Sequence, residues 1–286
     1  MQTEFAFFPG CVLTQAAKES MMALGAIAPR LGITLREIPG WSCCGASQSQ
    51  DVDPLAAMVA NARNLALADD MGLPVLTACS TCLLMLRRAK TEMDGGRKNH
   101  INTFLAEGNL NYKGSSEVTS LLWVLAQNAD ALKARVVKPL TGFKVAAFYG
   151  CHSLRPESAL GFESSVNPAS FETIVNALGA EIAPFAKRLD CCGFHAVYPA
   201  ENSVMRMTSE IVNSAANGGA RCIVTPCPLC QMQLDIYQDT AQELSGSQAR
   251  VPVLHLSQLA GLALGIPAKD LGLEYNVIHA GGITDM

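Results

Sequence analysis

Apolar positions along the chain alternate between two rhythms. Short apolar runs such as EFAFFPG, ITLREI and LPVLTA have the length and β-branched or aromatic content of strands. Between them, Lys18 to Leu31 and Asp53 to Met71 carry apolar residues at helical spacing, and another helix is expected from Cys82 through Lys90. The second half repeats the rhythm. FKVAAFYG, EIAPFA and CIVTPC read as strands. Helices are expected near Ser170 to Leu178, from about Glu201 to Ala216, and over Gln231 to Tyr237.

Strands alternating with helices predict an α/β fold of two pseudo-symmetric repeated halves, each with a parallel sheet. The boundary is expected near Leu140, giving a first half over 1–140 and a second over 141–286 with a C-terminal tail. The polar, glycine-bearing stretch from Glu92 to Ser116 reads as a crossover with partial hairpin character. LEYNVIHAGGITDM, at the end, reads as a tail that is disordered or docks on a partner.

Composition narrows the class. The 286 residues are 49% hydrophobic and 16% charged, with a formal net charge of -4, and the mean hydropathy is +0.21. Such a chain can bury a large core and keep apolar surface for a partner subunit. No basic run accompanies the few aromatics, so nucleic acid is not an expected partner. The start lacks a secretory pattern. The most apolar stretch, VPVLHLSQLAGLALGIPA, holds two prolines and several polar groups, and reads as strand plus helix rather than a span. A cytoplasmic protein, or one held at a membrane through partner subunits, is expected.

The cysteines change the picture. Ten of the eleven fall into two groups, C-x31-CC-x34-CxxC and C-x39-CC-x34-CxxC. The first is Cys11, Cys43, Cys44, Cys79 and Cys82. The second is Cys151, Cys191, Cys192, Cys227 and Cys230. From the CC pair onward the groups are offset by a constant 148 residues, with eight extra residues before the second pair. Flanks repeat as well: FAFFPGC with VAAFYGC, LPVLTACSTC with ARCIVTPCPLC, and SEVTSLLWVL with LSQLAGLALG. In the strand–helix reading every one of these cysteines sits at a strand's carboxyl end or in the turn after it. Cys222, inside an apolar strand, is expected to be a core residue.

A structural zinc site takes four ligands in a closed tetrahedron. Five thiols including an adjacent pair exceed that, and neighbouring side chains reach separated points more easily on a cluster of several irons. Gly45 and Gly193, after the CC pairs, are expected to let the backbone approach such a cluster or to take a positive φ. The C-x2-C-x2-C-x3-C-P spacing of cubane ferredoxins is absent. No GxGxxG follows a strand, so electrons are expected to come from or go to another protein.

These motifs resemble the cysteine-rich CCG-domain family. FFPGC, WSCCGAS, NARNLALADDMGLPVLTACSTC, PLTGFKVAAFYGC, PCPLCQMQLDIYQ and PVLHLSQLAGLALG narrow the likeness to the B subunits of heterodisulfide reductases. The resemblance covers nearly the whole chain. It implies two noncubane 4Fe-4S clusters, one per five-cysteine set, facing a substrate cavity between the halves. It also implies disulfide cleavage with one sulfur captured at each cluster. Its partners would be a C-like subunit with cubane clusters and an A-like flavin subunit. Phe194 and His195 after the second CCG depart from the small residue of methanogenic members. That departure points toward sulfur-oxidising relatives, whose sulfur rides on a lipoate-binding protein.

Three residues near the second set are candidates for chemistry. His195 and His152 could each donate a proton to a product thiolate, or could hydrogen-bond cluster sulfur or backbone. Arg155 could pair with a substrate carboxylate or simply form a surface ion pair. Trp41 is expected to pack beside the first cluster, and His255 to be a satisfied core residue. His100 and His279 are expected to carry no chemistry. An electron-transfer subunit without a sulfur substrate is the alternative function, and a zinc-stabilised interaction protein a third.

Overall fold

Two four-stranded sheets with the same strand order make up the molecule, whose computed structural model describes residues 3–284. The first holds β1 (Glu4–Phe7), β2 (Thr34–Glu37), β3 (Val75–Thr77) and β4 (Val118–Ser120), ordered β2-β1-β3-β4. The second holds β5 (Lys144–Ala147), β6 (Glu181–Ile182), β7 (Cys222–Thr225) and β8 (Val253–His255), ordered β6-β5-β7-β8. Every strand pairing is parallel. The central strands are buried on both faces, which is why Phe5–Ala6–Phe7 and Cys222–Ile223–Val224 are unbroken apolar runs.

Helices connect the strands of the first half. α1 (Gly10–Gln15) and α2 (Lys18–Arg30) follow β1, α3 (Gln48–Val52) and α4 (Pro54–Met71) follow β2, and α5 (Ser80–Glu92) follows β3. Asp53 starts α4 by accepting the Ala56 N–H at 2.9 Å, Pro54 occupies its first position, and left-handed Gly72 ends it. Glu92 to Ser116 is largely helical, which corrects the expected hairpin character. A π-helical turn (Met93–Arg97) runs into α6 (Lys98–Ala106). The polar loop after it is pinned because the Asp69 carboxylate accepts Lys113, Gly114 and Ser116 N–H groups and the Ser115 hydroxyl at 2.7–2.9 Å. Burial alone would raise the Asp69 carboxyl, but those four donors outweigh it and hold the group below its usual range.

α7 (Leu121–Gln127) and α8 (Ala129–Lys133) lead into the second half. There α9 (Glu157–Leu160) and α10 (Ser170–Ala177) follow β5, α11 (Glu201–Asn217) follows β6, and α12 (Pro228–Ile236) with α13 (Gln238–Ser245) follow β7. α14 (Leu256–Ala263) follows β8, so SEVTSLLWVL and LSQLAGLALG are indeed structural counterparts. α12 begins three residues earlier than its apolar spacing suggests, because Pro228 after Cys227 is a favourable first helical residue. The tail docks on its own chain. A 3-10 turn (Leu273–Tyr275) places the N–H groups of Val277 and Ile278 on the Asp235 carboxylate at 2.7 and 3.0 Å. α15 (Gly281–Thr284) ends the described chain, and the last two residues of the expected tail lie outside it.

The halves interlock. α2 packs against α14, and α10 packs against α7. These are one contact made twice, the helix after the first strand of one half against the last helix of the other. One continuous apolar core therefore spans both sheets. A buried polar seam crosses it. His255 contacts the Ala78 carbonyl through Nε2 at 3.0 Å and Ser257 Oγ through Nδ1 at 2.8 Å, while Ser257 Oγ donates to the Ser20 carbonyl at 3.1 Å. His255 is the satisfied core residue expected, and Cys222 is fully buried.

Burial pushes the His255 pKa down to about 4. The unfolded chain, with its histidine near the ordinary value of about 6.5, takes up the proton first, so stability falls as pH falls. Wild type should lose about 1 kcal/mol per pH unit from this group below pH ~6.5. Replacing His255 with Gln should flatten that slope in denaturant titrations at pH ~7.5 and ~5.5. Equal slopes in the two proteins would show that His255 is not buried neutral.

Candidate metal centre

Both strand orders reverse at the same place, between β1 and β3 and between β5 and β7. In parallel sheets the crevice at that reversal, outside the strands' carboxyl ends, is where sites assemble. Cys11 sits in the first turn of α1, Cys43 and Cys44 in the loop after β2, and Cys79 caps the α5 helix that carries Cys82. The second half repeats this arrangement. Cys151 follows β5, Cys191 and Cys192 follow β6, and Cys227 caps the α12 helix that carries Cys230.

Exposure is matched cysteine by cysteine. Cys43 and Cys191 are exposed, Cys11 and Cys151 partly buried, and the other six buried. Sulfurs converge within each set, with Cys11 to Cys43 at 3.4 Å, Cys44 to Cys82 at 3.7 Å and Cys151 to Cys191 at 3.7 Å. The Gly45 and Gly193 N–H groups each point at the first sulfur of their CC pair at 3.4 Å. Both glycines take positive φ, 68° and 84°, as expected from the sequence.

Glycines before the first cysteine of each set make room for the last. A Cβ on Gly10 would stand 2.7 Å from Cys82 Sγ, and one on Gly150 would stand 3.0 Å from Cys230 Sγ. Both glycines also have φ of +70°. The two sets therefore share a cradle that no other residue fits.

Electrostatics shows what the cradle requires. Thiol hydrogen bonds from Cys11 and Cys44 hold Cys43 far below the ordinary thiol range, and bonds from Cys151 and Cys192 do the same for Cys191. Their neighbours are pushed up in return, Cys11 by its bond to Cys43 and Cys151 by its bond to Cys191. Cys227 is held low as well, by bonds from Cys230 and Cys79, so the first set favours one thiolate and the second two, and these suppress ionisation of the rest. Five thiolates can coexist there only with a compensating positive charge. Among the described residues, no group of three or more His, Cys, Asp or Glu side chains has the geometry of a single-ion site. Five thiols with an adjacent pair are the donor set of a multi-iron sulfide cluster, and the residues present fit one in each half.

The sets lie beside each other. Cys227 of the second set pushes the Cys79 thiol of the first well up. Thr81, between Cys79 and Cys82, reaches across as well. Its hydroxyl lies 2.9 Å from His152 Nδ1 and 3.8 Å from Cys227 Sγ. Sequence reasoning passed over Thr81. The available signal was CSTC against CPLC, which puts Leu229 at the equivalent place in the second half. It also passed over Asn61 and Asn64 on α4. Asn61 Nδ2 donates to the Cys44 carbonyl at 2.7 Å, and Asn64 brackets Ser42 N and O at 2.9 Å each, fixing the first CC loop.

His152 and His195 come together over the second set, with ring centroids 5.3 Å apart. With Thr81, Phe194 and the second-set cysteines they line a narrow cavity of about 10 Å³. Burial pushes His152 down, against the pull of Cys227. His195 Nδ1 is buried without a partner. Arg155 stands outside this cavity, and its guanidinium donates to the Leu189 carbonyl. Among the described residues it pairs with no carboxylate. Trp41 packs edge-on to Phe8 with centroids 5.5 Å apart and donates to Glu37.

The chain matches the family model described as CCG, cysteine-rich domain, over residues 5–87 and 145–235, and it belongs to that family. It is 73% identical over 280 residues to the 8-methylmenaquinol:fumarate reductase membrane anchor subunit of Wolinella succinogenes, covering 98% of this chain and 99% of the relative. It is 31% identical over 285 residues to the B subunit of a ferredoxin/F(420)H(2)-dependent CoB-CoM heterodisulfide reductase of Methanosarcina acetivorans, covering 96% and 94%. A protein of Archaeoglobus profundus, named as similar to the heterodisulfide reductase B subunit, is also 31% identical, over 282 residues and 94% of each chain. The resemblance to B subunits is thus borne out. Among solved structures, a crystal structure of a hypothetical protein from Helicobacter pylori superposes with a TM-score of 0.77 at 16% identity, covering 98% of this chain. The chain spans 52% of that protein, and the likeness is one of fold.

Gly10→Ala should disturb the first cradle and Gly150→Ala the second. Each variant should lose the iron held by its own set and keep the other's, roughly half the wild-type content. Iron analysis after anoxic purification checks this. Full iron in both variants would show that the glycines do not shape the centres.

Proposed function

We propose that this chain is a two-cluster iron–sulfur subunit relaying electrons between a quinol and a partner that reduces fumarate. The observation that carries the reading is the end-to-end 73% identity with the quinol:fumarate reductase subunit. The closeness of the two thiol sets, with Thr81 of the first 3.8 Å from Cys227 Sγ of the second, supports it, since electrons cross short gaps singly. On this reading Cys11, Cys43, Cys44, Cys79 and Cys82 hold one noncubane 4Fe-4S cluster. Cys151, Cys191, Cys192, Cys227 and Cys230 hold the other. Bound there, the clusters supply one-electron transfer.

The chain's own residues do the rest. The CC loops place two thiols on separate points, held by N–H groups of Gly45 and Gly193. The helix starts at Cys79 and Cys227 direct backbone N–H groups and positive dipole ends toward the thiolates. Partner subunits with cubane clusters and flavin would take the electrons onward. No helix among the described residues is long and apolar enough to cross a membrane. Association with a membrane would then run through surface docking and partners.

A second reading, disulfide or carrier-bound sulfur chemistry, is favoured by one feature. Thr81, His152 and His195 give the second set hydrogen-bonding groups that the first set lacks, Val12 and Ala46 standing in the positions of His152 and Phe194. On that reading the two histidines would hold or deliver the protons that a cleaved disulfide takes up.

Iron and acid-labile sulfide analysis with EPR separates these. About eight irons per chain, with signals reduced by a naphthoquinol and unmoved by disulfide or lipoamide, is the expected result. A new paramagnetic species on adding disulfide would replace the relay with sulfur chemistry, and zinc without iron would end both. Cys192→Ala should lose the second cluster and quinol-linked turnover while the fold remains largely intact by circular dichroism.

A further inference from the structure

We propose that the cavity beside the first cysteine set is a quinol-binding site. This rests on the quinol-linked reading above and gives the electron donor a place on the chain. The cavity measures about 200 Å³, room for a ring head group rather than a whole quinol, lies between α4, α5 and the α3–α4 corner, and opens to solvent. Its walls include Met58 from α4 and Met85 from α5. Methionine thioethers adapt to flat rings and make favourable sulfur–aromatic contacts.

Two polar groups in this apolar cavity lack partners, and they are complementary. Arg88 lines the cavity and, among the described residues, makes no hydrogen bond or ion pair. Asn61, fully buried, commits its Nδ2 to the Cys44 and Ala57 carbonyls at 2.7 Å each. Its Oδ1 is buried and accepts nothing. An orphaned buried acceptor costs about 1–3 kcal/mol until a donor arrives. The cavity thus offers one donor in need of an acceptor and one acceptor in need of a donor, set in apolar walls. A hydroquinone answers both: one O–H donates to Asn61 Oδ1, and the other oxygen accepts from Arg88. The oxidised quinone has no O–H and could satisfy only Arg88, so the site favours the reduced form.

The position suits the chemistry. Asn61 lines the cavity and donates to the Cys44 carbonyl, so a single side chain separates the cavity from the first CC loop. The α3–α4 corner, where Gln50 and Pro54 frame the cavity, also exposes Val52 at 85% and Leu55 at 37%. That apolar collar gives an isoprenoid tail a way out toward a lipid phase. Oxidation breaks two O–H bonds. Both protons leave to water through the open mouth, where Glu92 stands, and two electrons leave singly to ferric iron of the cluster held by the first set.

The test measures binding rather than turnover, using anoxically purified, iron-loaded protein and the redox-inert quinol analogue 2-heptyl-4-hydroxyquinoline N-oxide. Quenching of the analogue's fluorescence should show one saturable site per chain. Arg88→Leu, and independently Ala89→Leu, which fills the wall, should each weaken binding tenfold or more. Iron content and the EPR spectrum of the dithionite-reduced protein should not change. Lys138→Ala, on the separate cavity beside Leu140 and Ile266, should bind as wild type. Absence of saturable binding to wild type, or unchanged binding in both cavity variants, would overturn the placement. The relay itself would still stand if naphthoquinol reduced the clusters in either case. A protein that answers to disulfide and not to quinol would instead remove the reading on which this site rests.

Discussion

Ten thiols gathered in one protein interior cannot all ionise unless positive charge joins them, and the rest of the structure follows from that constraint. Six of these cysteines are buried. Mutual hydrogen bonds let Cys43 in the first set, and Cys191 and Cys227 in the second, ionise easily while holding their neighbours protonated. Such a set is costly on its own and becomes favourable with a multivalent cation or cluster, which makes metal loading and folding parts of one equilibrium. The backbone has been shaped for it. Strand ends, helix starts and glycines meet at the reversal of strand order in each sheet, where N–H groups are free to face sulfur.

Duplication explains both the symmetry and its failures. Each half carries the same strand order and the same cysteine exposures. The halves also exchange helix contacts reciprocally, α2 with α14 and α10 with α7, so neither half owns a separate core. Several departures from symmetry fall at the centres. Asn61 and Asn64 brace only the first CC loop. His152, His195 and Thr81 surround only the second set. A duplicated scaffold with two differently furnished sites is what a directional electron path requires, because equal sites would give electrons no preferred resting place.

The repeat was legible because cysteine spacing is a one-dimensional trace of the strand ends that carry the thiols. The strand–helix alternation was legible for the same reason that β1 and β7 are unbroken apolar runs, since both faces of a central parallel strand are covered. What escaped was set by contacts distant in sequence. α6 hid in a polar stretch because its anchor, the Asp69 carboxylate, lies on α4 and satisfies the following loop from outside. The tail looked free because the Asp235 carboxylate that takes its N–H groups is more than forty residues away. Thr81 looked like filler within CSTC until the second half placed His152 beside it. Arg155 read equally as a substrate ligand or a surface ion-pair residue, and the partner the structure gives it, the Leu189 carbonyl, lies in a loop that no local pattern points to.

The polar seam through the interlock holds the two thiol sets rigidly together, which suits the proposed relay. His255 ends β8 in the second half and holds the carbonyl of Ala78, the residue just before Cys79 in the first. Thr81, two residues after Cys79, reaches Cys227 Sγ of the second set at 3.8 Å. The approach of the two sets is therefore backed by a buried hydrogen bond between the halves that leaves them little freedom to part. Electron transfer between fixed sites gains from such rigidity, because reorganisation of the surroundings opposes each transfer. The His255 imidazole supplies the clamp without adding charge, its pKa driven down to about 4 by burial. A lysine or carboxylate in the same place would have to ionise beside the thiol sets or lose its hydrogen bond, and a buried neutral histidine does neither.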